Sequence, residues 1–138
     1  MKLPLRLSWP VATIVAGVSY GFIGIVFAVP SFHVRAWRLA AWIISGAIFV
    51  THIAYDRYGR HHSRLATALH ASAAVALGAF LLAVGATVHA AMVPSHAPYW
   101  QYAVALVMWP LVTAVPAFLV ALVLSSLPVR VPPNQVSA

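Results

Sequence analysis

Four long apolar stretches, at 10–29, 36–55, 65–93 and 99–127, are separated by short segments that hold most of the charged positions. Each is long enough for the roughly 20 helical residues needed to cross a hydrocarbon core. None shows the alternation of polar and apolar residues that marks a strand of a membrane barrel. Backbone N–H and C=O groups find no water in that core, so each stretch must satisfy them within itself as a helix. Links this short force neighbouring helices to run antiparallel and leave no room for a domain outside the membrane. The pattern predicts an all-α integral membrane protein, a four-transmembrane-helix antiparallel bundle forming one domain over 1–138, with a Pro-rich polar tail at 128–138. The first stretch follows Lys2 and Arg6 and so has the outline of a secretory signal, but its apolar length exceeds a signal core and reads as the first spanning helix.

Composition sharpens this picture. Of 138 residues, 63% are hydrophobic, which is outside the range of a water-soluble domain. The net charge of +7 would suggest nucleic acid in a soluble protein. Here the basic residues lie at the ends of apolar stretches, where they set topology, and no nucleic-acid partner is implied. Placing both termini in the cytoplasm puts Lys2, Arg6, Arg57, Arg60, Arg64 and Arg130 inside and only Arg35 and Arg38 outside. Trp37, Tyr99, Trp100 and Tyr102 then mark the outer interface, and Trp9, Tyr55 and Tyr58 the inner one. Arginine over lysine, with abundant Ala and Val, points to a bacterial genome, and hence to a multi-pass protein of the bacterial inner membrane. Without cysteine there is no disulfide framework, thiolate metal site or cysteine nucleophile.

Small residues define faces for packing. Gly17, Gly21, Gly24 and Ala28 line one side of the first helix. Ser72, Ala76, Ala79, Ala83, Ala86 and Ala90 recur along the third at steps of four and three. Lipid tails are as apolar as leucine, so such faces gain from close helix contact rather than from lipid. The contact lies within the chain, or joins it to a second copy or a larger membrane complex. Pro110 and Pro116 remove two backbone donors from the fourth helix and predict a kink.

Candidate chemistry concentrates between the second and third helices. The segment 52–70 holds the single acidic residue, three arginines and four histidines. His52 and His70 lie nine residues either side of His61, so a hairpin brings them to similar depth, where two imidazoles suit a haem b, a quinone headgroup or a divalent metal. Asp56 is one turn beyond His52 and suits a role in fixing its tautomer. The helical wheel of the third helix turns His70 away from the small-residue face and so outward, while His61 and His62 read as solvated loop residues. On the other side, His89, Met92 and His96, with His33 nearby, offer imidazole and thioether donors of the kind copper takes. No Asp or Glu is expected deep in the membrane, which argues against a proton-coupled antiporter. Paired carboxylates, a phosphate loop and a nucleophile elbow are all missing. The sequence thus favours binding over turnover: a small membrane subunit or interaction protein surrounded by lipid, with a haem- or quinone-binding redox protein and an outer-face copper protein as alternatives.

Overall fold

The computed structural model describes residues 8–28, 32–92 and 98–127. It is all-helical: α1 spans Trp9–Ala28, α2 Val34–Ala54, α3 Arg64–Met92 and α4 Tyr99–Leu124. All four are long and apolar enough to cross a membrane. Below Ala54 the chain does not leave the helix directly. It widens into one π-helical turn over Tyr55–Gly59, which extends the second candidate span to Val34–Gly59. Near α4's middle, Pro110 and Pro116 leave the helix unbroken.

The helix α3 is the spine, packed along its length by α1 on one side and α4 on the other. α2 leans mainly on α1 and barely touches α3. Trp9 of α1 stacks on His70 of α3, Gly17 meets Ala74 and Leu77, Gly21 meets Leu81 and Gly24 meets Leu82. These contacts climb both helices in the same direction. The closest approach is at Gly78, where a Cβ would lie 2.5 Å from the Cβ of Tyr20 and 3.1 Å from the Gly17 carbonyl oxygen. Neither distance leaves room for a side chain, so the absence of Cβ on Gly17 and Gly78 sets the separation of α1 and α3.

On the α4 side, Ala68 and Ala71 meet Ala121, together with Ile53 of α2 and the flanking Phe49, Phe118, Leu122 and Leu124. α3 thus needs two small-residue stripes, one for each neighbour. Within the α3 stripe read from sequence, Ser72, Ala79 and Ala83 are buried, Ala76 and Ala90 are half-buried and Ala86 is exposed, while on α1 Ala28 is exposed. Gly78 and Ala74, outside that stripe, supply the tightest fit.

Between α2 and α4 the packing is open. A cleft of about 520 Å³ lies there, floored by Gly78, Ala79 and Leu82 of α3 and walled by Trp42, Gly46, Trp109 and Ala117.

Candidate functional site

The functional candidate lies where α2 ends and α3 begins. Wider than an α turn, the π turn displaces the chain after Tyr55, and the amide of Arg60 donates to the Tyr55 carbonyl at 3.1 Å. His61 then takes a left-handed backbone, φ 57°, a conformation histidine adopts more readily than most residues. That reversal sends His62 back over the turn, where its amide donates to the Asp56 carbonyl at 3.3 Å. Ser63 caps α3: its hydroxyl accepts from the Ala66 amide at 3.2 Å, which satisfies one of the helix's free donors. Arg57 clips the turn, donating to the His62 carbonyl at 2.9 Å and to the Ser125 carbonyl at 3.4 Å. Tyr58 donates to the Leu127 carbonyl at 3.0 Å, so the end of α4 is tied to the same turn.

Asp56 is the centre of this architecture, with only 1% of its surface exposed. One carboxylate oxygen lies 2.9 Å from Nδ1 of His62 and the other 2.8 Å from Nδ1 of His70. The Arg60 guanidinium stands 3.7 Å from the first oxygen. A buried carboxylate costs several kcal/mol unless paired and hydrogen-bonded, and these three groups supply the pairing. The imidazoles of His62 and His70 meet edge to face at 5.2 Å between centroids. Trp9 covers the other side of His70, nearly parallel at 4.6 Å. When each Nδ1 carries its proton toward Asp56, each Nε2 is left with a free lone pair.

Next to this cluster is a group without a bond. His52, one turn before Asp56 on α2, is 7% exposed, and neither of its ring nitrogens has a hydrogen-bond partner. It lies within electrostatic reach of Asp56, His70 and Arg60. The hydroxyls of Thr13 and Thr67 are likewise buried and unpartnered.

His52, Asp56 and His70 thus share one end of the molecule, as their spacing around His61 implies. Their pairing differs from the expected one, because Asp56 orients His62 and His70 and not His52. His62 is no solvated loop residue: the reversal at His61 brings it to the carboxylate. His70 faces inward, since Trp9 and Asp56 come from α1 and the π turn, elements that the wheel of α3 alone does not contain. Of the two histidines expected to hold a haem b or a quinone, His70 has Trp9 stacked on its ring and His52 is buried. On the far side, His89 and Met92 are exposed at the end of α3. His33 precedes α2 with a left-handed backbone, its ring edge-on to Phe32. His96 lies outside the described residues. Among the described residues, the group of histidines and carboxylates close enough to hold a metal ion together is Asp56, His62 and His70.

Comparison with protein-family models, curated proteins and solved structures returns no match, so any function rests on the chemistry of the molecule itself.

Proposed function

We propose that this chain is a small multi-pass subunit of a bacterial inner membrane, an antiparallel four-helix bundle with cytoplasmic termini. It acts by binding a membrane partner, not by turnover. The observation that carries the reading is the cleft between α2 and α4. Its lining includes Ala41, Ser45 and Gly46 of α2, Gly78 and Ala79 of α3, and Thr113 and Ala117 of α4. Small residues facing the bilayer gain little from lipid and much from a helix that can approach their backbone. Gly46 is the clearest case, because a Cβ added there would meet nothing within 4 Å in its own chain. The contacts of Gly17, Gly21 and Gly24 are made within the chain. The surface left for a transmembrane helix of a second copy or a larger complex is therefore the α2–α4 cleft.

Substituting Gly46→Leu puts a bulky side chain into the cleft from a position where an added Cβ meets nothing within 4 Å. The expected result is loss of the higher-order species in detergent, by size and by co-purification, with helicity and melting temperature of the single chain retained. Assembly undiminished in Gly46→Leu would remove the cleft as the contact surface.

A further inference from the structure

We infer that Asp56, His62 and His70 form a binding site for a divalent transition-metal cation at the α2–α3 turn. The three side chains present ligand atoms that all lie within 4.8 Å of one another. The two nitrogen-to-oxygen separations, 2.9 and 2.8 Å, are hydrogen-bond distances, so the donors already converge, and an ion with bonds of about 2.1 Å would take the place of the shared protons and spread them by about half an ångström. Two imidazoles and one carboxylate suit zinc, cobalt, nickel or ferrous iron. Calcium and magnesium prefer all-oxygen shells, and cuprous copper prefers sulfur.

The same geometry also describes a hydrogen-bonded lock in which both histidines serve only to neutralise Asp56. Two observations favour an ion. First, the cluster is not sealed: the His62 side chain is 29% exposed, which gives an ion access to the donors from solvent. Second, the protein arranges the donors at some conformational expense: a π turn at Tyr55–Gly59 and a left-handed His61 are both needed to bring His62 to the carboxylate. Arg60, 3.7 Å from the Asp56 oxygen, has a buried guanidinium nitrogen with no hydrogen bond. It competes with an incoming cation for the same carboxylate.

The test is titration of the metal-stripped, detergent-purified full chain with Co²⁺, read by its visible ligand-field bands, followed by displacement with Zn²⁺. One Co²⁺ binds per chain. The His62→Gln variant weakens binding by about tenfold or more, although its amide can still donate to Asp56 and preserve the lock. The control variant His89→Gln leaves the affinity unchanged, and Arg60→Gln tightens it. Binding that is absent at stoichiometric Co²⁺, or that is the same in His62→Gln and Asp56→Asn as in the unsubstituted chain, overturns the site. Should the His62 variant lose its helical signal, the melting temperature of the unsubstituted chain decides. A rise with one equivalent of Zn²⁺ supports the site, since an ion that binds only the folded state stabilises it, and an unmoved transition overturns it.

Discussion

At the residue scale, the unusual feature is a buried carboxylate served by two imidazole nitrogens. Breaking one member of such a set costs more than the set contributes, because the remaining polar groups stay buried without partners. Asp56→Asn keeps the shape but replaces one acceptor by an amide donor that faces a histidine. It should destabilise the protein by about 1–3 kcal/mol. Asp56→Ala leaves both imidazoles and Arg60 without their acceptor and should cost about 3–5 kcal/mol. Thermal unfolding in detergent measures both, and equal melting of Asp56→Ala and the unsubstituted chain would show that the cluster holds nothing together. The presence of an acid, a turn and nearby histidines at this place was legible in the sequence. Which histidines the acid would hold was not. His61 and His62 are adjacent and chemically alike, and only the backbone reversal at the first sends the second inward.

At the scale of the elements, packing of α1 against α3 depends on backbone proximity at glycine. Gly78→Ala places a methyl group against Tyr20 and the Gly17 carbonyl, and the helices must separate. A loss of about 1–3 kcal/mol is expected from such overpacking. The matched control is Gly85→Ala on the same helix, where the added methyl would find only Ile25 at 3.9 Å. It should be neutral, or stabilising by up to ~1 kcal/mol through reduced freedom of the unfolded chain. Stability of Gly78→Ala equal to that of Gly85→Ala, measured by thermal or denaturant unfolding in detergent, would mean that interhelical distance at Gly78 does not govern this pair, since helix propensity favours alanine at both positions. Small-residue periodicity revealed that α3 makes close contacts. It did not reveal that two neighbours divide its circumference, because a wheel records directions on one helix and not which partner occupies each direction.

At the scale of the whole molecule, three ties close one end of the bundle: Trp9 on His70, Arg57 to Ser125 and Tyr58 to Leu127. The start of α1, the α2–α3 turn and the end of α4 therefore belong to a single end, and the start of α2 lies at the other. The proposed topology makes the first of these cytoplasmic, since it carries Arg57, Arg60 and Arg64. Because the chain contains no cysteine, single substitutions report cleanly. A cysteine at Ser63 or Ser126 should be labelled by an impermeant thiol reagent only from the cytoplasmic side of membrane vesicles, and one at Arg35 only from the opposite side. Labelling of the Ser63 and Arg35 substitutions from the same side would refute the single crossing by α2 between them, and labelling of each from the side opposite to that expected would refute the orientation. The open α2–α4 side has the opposite character from the tied end. α2 is lightly held and its Trp42 is 78% exposed, which leaves this flank available to a partner helix.

Length and hydropathy by themselves determined that the chain is helical and carries four segments able to span a bilayer, because a backbone in hydrocarbon has no other means of bonding its polar groups. They also located the polar segment in which any chemistry must lie. Tertiary structure decided the rest: that Asp56 binds His62 and His70 while His52 stands unbonded, that Gly78 sets the closest helix approach, and that α2 and α4 stand apart. Each of these depends on where one element meets another in space, through a π turn, a left-handed residue and the division of one helix between two neighbours, and a one-dimensional pattern does not encode such meetings.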